Sequence, residues 1–211
     1  MTAFLTGGAL QEITGAADEV LARLEAYVAL LGKWQAKINL VGRDSLKDVW
    51  RRHILDSAQL QPLLPSGAKI VADIGSGAGF PGLVLAIITD PGGPEFHLIE
   101  SNAKKCAFLR EACRITEAGA IIHHVRAEDL INFKADIVVA RAVSSLEKLL
   151  EYAKPLLRKD GQCLFLKGKN WREELTKSQK NWIINESTTQ SLSDPSGIVL
   201  KLEGIVRRDA S

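Results

Sequence analysis

Lys69-Ile-Val-Ala-Asp73-Ile-Gly75-Ser-Gly77-Ala-Gly79-Phe80-Pro81-Gly82 is the stretch whose reading decides the fold. A short apolar strand over 69–73 runs into glycines at alternate positions. Past Pro81, which suits the first turn of a helix because no N–H is needed there, an apolar helix spans Leu83 to Ile88. Strand, glycine turn and helix in that order open a parallel α/β sheet, where ligands sit beyond the carboxyl ends of the strands at the switch point. Glycine there lets the backbone adopt positive φ and approach a ligand closely.

The pattern continues downstream. Phe96 to Glu100, Ile121 to Val125, Asp136 to Ala140 and Gln162 to Leu166 read as short apolar strands. Asp90 to Pro94 and Lys159 to Gly161 read as turns. Ala103 to Glu117, Ser144 to Leu157 and Trp171 to Gln179 read as helices, and Trp182 to Thr188 and Ile198 to Val206 as two closing strands. Alternating strands and helices predict a doubly wound, mostly parallel sheet covered on both faces, with a hairpin at one edge. Upstream, Leu10, Ile13, Ala17, Val20, Leu21, Leu24, Val28 and Leu31 recur at helical spacing, with Gly32 near the end. A second helix is expected from Ser45, taken as its N-cap. Pro62, Pro65 and Gly67 break that pattern, so 1–66 is read as a helical appendage and 67–211 as the α/β domain.

The chain has 211 residues, 27 basic and 25 acidic, with a net charge of +2; 46% are hydrophobic and 25% charged. These are globular values, which exclude a mostly disordered chain. They also exclude a strongly cationic nucleic-acid clamp, though not a local basic patch. No apolar run reaches the ~18 residues that span a membrane, and Met1 to Leu10 lacks the charge and apolar stretch of a secretory signal. A cytoplasmic protein is expected. Cys106, Cys113 and Cys163 are too few and too dispersed for a disulfide framework, and no metal site is expected.

Two ligands compete for the glycine loop. Gly77, Gly79 and Gly82 satisfy the dinucleotide spacing, whereas Gly75, Gly77 and Gly79 preceded by Asp73 suit S-adenosylmethionine. A carboxylate at the strand end favours an ammonium and a sulfonium and repels a pyrophosphate, which tips the choice toward S-adenosylmethionine. Glu100 ends the second strand, where an acidic side chain accepts ribose hydroxyls in either kind of site. Glu128 and Asp129 follow the third strand, placed to read an adenine edge. Three acidic strand ends are a pattern that nicotinamide domains do not generally need.

The loop ending Phe80-Pro81-Gly82 resembles that of the bacterial RsmG family, also called glucose-inhibited division protein B, whose members methylate N7 of a guanine in a conserved loop of 16S ribosomal RNA. Further elements match in order: Asn39-Leu40, Arg52-His53-Ile-Leu-Asp56-Ser57, Glu100-Ser101, Lys104-Lys105, Phe108-Leu109, Arg126-Ala127-Glu128, Arg141-Ala142 and Lys167-Gly168. The match runs from about residue 20 to 180. Val41 and Ala140 stand where the family often has Thr and Ser. The resemblance implies a class I methyltransferase fold and places Gly75, Phe80, Ala127, Glu128 and Arg141 around S-adenosylmethionine. Asp73 and Glu100 join them on the chemical argument above.

Guanine N7 carries an in-plane lone pair, so the implied reaction needs placement rather than a general base. Arg141, following an apolar strand, is expected to position the cofactor or the target base. Phosphate contacts are expected from Arg51, Arg52, Lys104, Lys105, Lys167, Lys169 and Arg172. Residues 151–180 hold eight basic and four acidic residues, a local +4 against +2 overall. The partner implied is 16S rRNA or the small ribosomal subunit, met by a monomer with no protein partner. The alternatives are a methyltransferase acting on a small molecule or protein, a nicotinamide oxidoreductase, and a non-enzymatic RNA-binding protein. His53 and Asp56, three apart on one helical face, are candidates for docking the helices or contacting RNA. The four tryptophans are read as packing residues, and His123 and His124 as facing opposite sides of a strand.

Overall fold

The computed structural model describes residues 4–89, 91–141 and 144–208; Asp90 of the expected turn and Ala142 of the Arg141-Ala142 motif lie outside them. Seven strands form one sheet: β1 (Ile70–Ile74), β2 (Glu95–Glu100), β3 (Ile121–His124), β4 (Ala135–Arg141), β5 (Leu157–Lys167), β6 (Trp182–Gln190) and β7 (Ile198–Arg207). Their order is β3-β2-β1-β4-β5-β7-β6. β1 to β5 pair in parallel, and β7 lies antiparallel between β5 and β6. The chain leaves β1 for β2 on one side and returns to β4 on the other, so the switch point falls between the carboxyl ends of β1 and β4. The expected edge hairpin is present, with its second strand on the inside.

The helices are α1 (Gly7–Thr14), α2 (Asp18–Gln35), α3 (Asp56–Ala58), α4 (Gly82–Ile88), α5 (Ala103–Thr116), α6 (Leu146–Leu156) and α7 (Trp171–Ser178). The single N-terminal helix expected from the spacing is two. Gly15 takes φ 68° and its N–H returns to the Gln11 carbonyl, a left-handed cap that ends α1. Gly32 does not end α2, which continues to Gln35. The stretch from Ser45 also differs from a plain helix. Arg43–Asp48 is a 3-10 turn, Trp50–Leu55 a π-helical turn, and only Asp56–Ala58 is α-helical. Ser45 is no N-cap; its hydroxyl donates to the Gly42 carbonyl at 2.6 Å. The expected turn at Lys159–Gly161 sits within β5 as a break in register. Ala135 pairs with Leu157 and Ile137 with Gln162, so the residues between bow out of the ladder.

Both faces of the sheet are covered. On one, Leu146, Leu149, Leu150 and Ala153 of α6 pack on Ala72, Ile74, Ile99 and Val138. On the other, Leu24, Tyr27 and Leu31 of α2 share a core with Phe80, Leu83 and Val84 beside α4 and with Phe108 and Leu109 of α5. The N-terminal helices are thus part of the layer that closes the sheet. Cys106 and Cys163 are buried and Cys113 is half-buried, all three as free thiols. Among the described residues no helix is long and apolar enough to cross a membrane. Among them, too, no group of three or more His, Cys, Asp or Glu is placed to hold a metal ion.

Candidate active site

The loop after β1 needs its glycines for separate reasons. Gly75, Gly77 and Gly79 have φ of 66°, 59° and 95°, where a side chain is strained. Gly82 needs space: a Cβ there would lie 2.6 Å from the Cβ of Asp73. The Gly75 and Ser76 amides donate to the Ile99 carbonyl at 2.9 and 3.1 Å, pinning the loop to β2. From α2, the Tyr27 hydroxyl donates to the Ala78 carbonyl.

The two strand-end carboxylates have different positions. Asp73 is 1% exposed beneath the loop. Its Oδ2 accepts from the Gly82 amide at 3.0 Å, while Oδ1 has no partner. Burial pushes its pKa up to about 7, against the opposing pull of the Gly82 amide, Ser76 and Arg141. Asp73 therefore braces the loop from behind instead of facing the cleft. Glu100 faces it: Oε2 accepts from the Gly77 amide at 2.9 Å and Oε1 from the Asn102 amide at 2.7 Å. Each oxygen keeps a further lone pair for a ligand.

These groups border a cleft of about 1340 Å³ at the switch point, lined also by Phe80, Arg141, Lys105 and residues of the N-terminal segment. Arg141, at the end of β4, is held by the turn that carries His53 and Asp56. Its Nη1 donates to the Arg52 carbonyl at 2.8 Å and to Asp56 Oδ2 at 3.2 Å, and its Nη2 to His53 Nδ1 at 2.8 Å. The guanidinium carbon lies 4.7 Å from the Phe80 ring centroid, and His53 stacks on the same ring at 4.7 Å and 18°. Burial, then Arg141 and Arg52, lower the His53 pKa to about 3, so the ring is neutral. The 191–197 connection between β6 and β7 also lines the cleft and is bonded to the N-terminal segment. Ser193 donates to Asp56 Oδ1, Gln59 Nε2 to Ser191 at 3.3 Å, and the Leu192 amide to Gln59 Oε1 at 2.8 Å.

Of the residues expected from sequence, Gly75, Gly77, Phe80, Glu100, Arg141, Arg51, Arg52, Lys105 and Lys167 line the cleft. Gly79 turns the loop behind the wall. Ala127 and Glu128 sit on a one-turn helix after β3, outside the wall, where Glu128 lies 3.9 Å from Arg126. The expectation that Lys167 faces phosphate meets a near-buried ion pair: its Nζ is 2.6 Å from Glu174 Oε2. Arg51 pairs with Asp48 at 3.2 Å. Lys104 and Lys169 are exposed away from the cleft wall. Arg172 lies beside a smaller groove of about 420 Å³, its guanidinium 4.4 Å over Trp171. His123 and His124 do diverge, but His123 bonds across to His97 at 2.8 Å, a pairing the single-strand reading missed. Ser45, Tyr27, Gln59 and the 191–197 connection were also missed; only the turn-forming Asp194-Pro-Ser-Gly197 marks the last of these in the sequence.

The sheet order and the glycine loop define a class I methyltransferase fold, an enzyme class that takes its methyl group from S-adenosylmethionine. A putative O-methyltransferase from Klebsiella pneumoniae superposes with a TM-score of 0.60 at 12% identity, covering 93% of this chain and 95% of that one. The M. jannaschii TYW2 structure, solved in complex with AdoMet, superposes with a TM-score of 0.55 at 17% identity, covering 82% and 80%. The model of the GidB family, rRNA small subunit methyltransferase G, matches residues 20–197. The chain is 50% identical over 194 residues to ribosomal RNA small subunit methyltransferase G of Paramagnetospirillum magneticum, across 92% of this chain and 93% of that protein. The chain belongs to this methyltransferase family.

The residues present fit the cofactor. The loop presents the half-buried Gly75 and Gly77 to the cleft, and Glu100 offers carboxylate oxygens in the same cleft.

Proposed function

We propose that this chain transfers a methyl group from S-adenosylmethionine to N7 of a guanine in 16S rRNA. The observation that carries the reading is the convergence of the positive-φ loop, Glu100 and Arg141 on one cleft, in a chain of the rRNA small subunit methyltransferase G family. Gly75, Gly77 and Phe80 form the cofactor wall, Glu100 takes ribose hydroxyls, and Asp73 and Gly79 set the loop from behind. Ala127 and Glu128 are assigned to the adenine end, beyond the cleft wall. The bound cofactor supplies an electrophilic methyl group. The protein supplies placement, worth about 7–11 kcal/mol where the geometry is favourable.

Arg141 donates toward the target base or the cofactor while Asp56 balances its charge, so the site gains hydrogen-bond donors without added net positive charge. Arg52 and Lys105 meet phosphates at the rim, assisted by Arg51 and Lys104. Lys169 and Arg172 form a second patch around Trp171. Lys167 is assigned to holding Glu174 and the end of β5 instead of RNA. An enzyme with this substrate works in the cytoplasm, where ribosomal subunits are.

The test is methyl transfer from radiolabelled S-adenosylmethionine to small subunits lacking the modification, followed by nucleoside analysis. Label in 7-methylguanosine is expected. Cofactor binding without label in rRNA would overturn the RNA assignment.

A further inference from the structure

We propose that Ser45 and His53 are positioning residues for Arg141: the Ser45 hydroxyl oxygen and the Arg141 guanidinium together fix His53 in the tautomer protonated on Nε2, which holds the guanidinium over Phe80 at the cleft wall. The inference rests on the assignment of Arg141 to the reaction site made above.

The donors and acceptors leave one arrangement. A guanidinium only donates, so the Arg141 Nη2 contact at 2.8 Å requires a lone pair on His53 Nδ1. At the other end of the ring, Nε2 lies 2.8 Å from Ser45 Oγ. The Ser45 hydroxyl proton is already given to the Gly42 carbonyl at 2.6 Å. Oγ therefore accepts, and Nε2 carries the proton. The two ends of the ring impose the same tautomer independently, and the chain of donors runs from Arg141 through His53 and Ser45 to the Gly42 carbonyl. Burial at 6% exposure beside two arginines keeps a second proton off the ring. Stacking on Phe80 fixes the ring plane. The π-helical turn Trp50–Leu55 and the residue after it bring the Arg52 carbonyl, His53 Nδ1 and Asp56 Oδ2 onto a single guanidinium. A turn of that kind is rare and recurs at functional sites. With His53 absent, Asp56 and the Arg52 carbonyl still hold Nη1, but no hydrogen bond from a described residue holds Nη2, which loosens the guanidinium about that edge.

The tautomer is read directly from long-range proton–nitrogen correlation spectra of the full chain labelled with nitrogen-15 in histidine. The expected spectrum shows His53 with an unprotonated Nδ1 and a protonated Nε2. In Ser45→Ala the Nε2 proton loses its acceptor while Arg141 still requires the Nδ1 lone pair, so the same tautomer is expected with a shifted Nε2 resonance. Steady-state kinetics on the RNA substrate then compare His53→Ala with His53→Asn, whose amide oxygen takes the place of Nδ1 as an acceptor for Arg141. His53→Ala is expected to lower kcat about 10- to 100-fold with little change in KM for RNA, the scale that misplacement by about 1 Å produces. His53→Asn is expected to recover most of that loss. A proton on Nδ1 in the unmodified protein, or His53→Asn no more active than a folded His53→Ala, overturns the positioning role. A fully active Arg141→Ala overturns the assignment beneath it, and the spectra separate the two failures.

Discussion

Replacing Asp73 by Asn tests the claim that this carboxylate is a brace held at a cost to stability. The perturbation is isosteric. Asn keeps an oxygen for the Gly82 amide, 3.0 Å away, and removes the charge that burial opposes. A carboxyl group whose pKa rises from 3.8 to about 7 on folding binds more protons folded than unfolded between those values. Its stabilising contribution is full below pH 3.8 and is lost as pH rises through about 7. At about 1.4 kcal/mol per pH unit, the raised pKa costs the native state about 2 kcal/mol at pH 5 and about 4 kcal/mol at pH 8. Asp73→Asn removes a penalty that grows by about 2–3 kcal/mol between the two pH values. Urea unfolding of both proteins at pH 5 and pH 8 reads that difference through the denaturation midpoints. Asp73→Asn is expected to gain on the parent as pH rises. Parallel pH profiles for the two proteins would show that Asp73 is not held at a raised pKa, and the brace argument would fail.

Gly82→Ala forces a Cβ to within 2.6 Å of both the Asp73 Cβ and Leu98 Cδ2, an overlap that costs about 1–3 kcal/mol or more; an unchanged urea midpoint would refute the close approach. Glu100→Ala removes the acceptor of the Gly77 and Asn102 amides and is expected to weaken S-adenosylmethionine binding at least about tenfold by calorimetry, since each hydrogen bond to a charged group is worth about 1.5–3 kcal/mol. Unchanged affinity would remove Glu100 from the site. A chain cut to residues 67–211 loses the fully buried Leu24, Tyr27 and Leu31, at about 1.5–3 kcal/mol each, against a typical total stability of about 5–15 kcal/mol. It is expected to show no cooperative thermal transition, and a truncated protein that unfolds cooperatively and binds the cofactor would contradict the shared core.

The parts of the fold written in local pattern were legible. Short apolar runs bounded by turn residues mark β1 to β5, the stretches between and after them mark α4 to α7, and the glycine loop locates the cleft because only glycine readily takes the positive φ needed there. Element ends and irregular turns were less so. Nothing in the apolar spacing weighs Gly15 above Gly32 as a terminator; Gly15 takes φ 68° and caps α1, whereas α2 runs on through Gly32 to Gln35 with Leu31 fully buried in the core it shares with α5. The π-helical turn at Trp50–Leu55 has ordinary helical composition; two of its acceptors, with Asp56 just after it, converge on Arg141 from β4. Charge was the least legible property. Lys167 and Arg172 are both cations near the end of β5, and only the fold shows that one is neutralised by Glu174 and the other is stacked on Trp171. The Gln59 and Asp56 bonds to residues 191–193 join parts of the chain more than 130 positions apart, and no local pattern records such a pairing.

That distribution of charge has a physical logic for the proposed reaction. A guanine becomes cationic when N7 is methylated, so an uncompensated cation inside the cleft opposes the transition state. At about 4 Å and an effective dielectric of 20, two unit charges interact by about 4 kcal/mol, enough to slow the step several hundredfold. Two largely buried cations that line the cleft are each matched: Arg141 by Asp56 at 3.2 Å and Lys167 by Glu174 at 2.6 Å. Phosphate attraction, by contrast, belongs where the RNA backbone passes, outside the base pocket. Of the lining cations, Arg52 is exposed and Lys105 half-exposed. Exposed positive charge draws the polyanion in, and matched buried cations leave the nascent purine cation unopposed. The carboxylate that neutralises Arg141 comes from the N-terminal segment and also accepts from Ser193 of the β6–β7 connection. The segment read from sequence as an appendage therefore sets the charge of the reaction site as well as part of its wall.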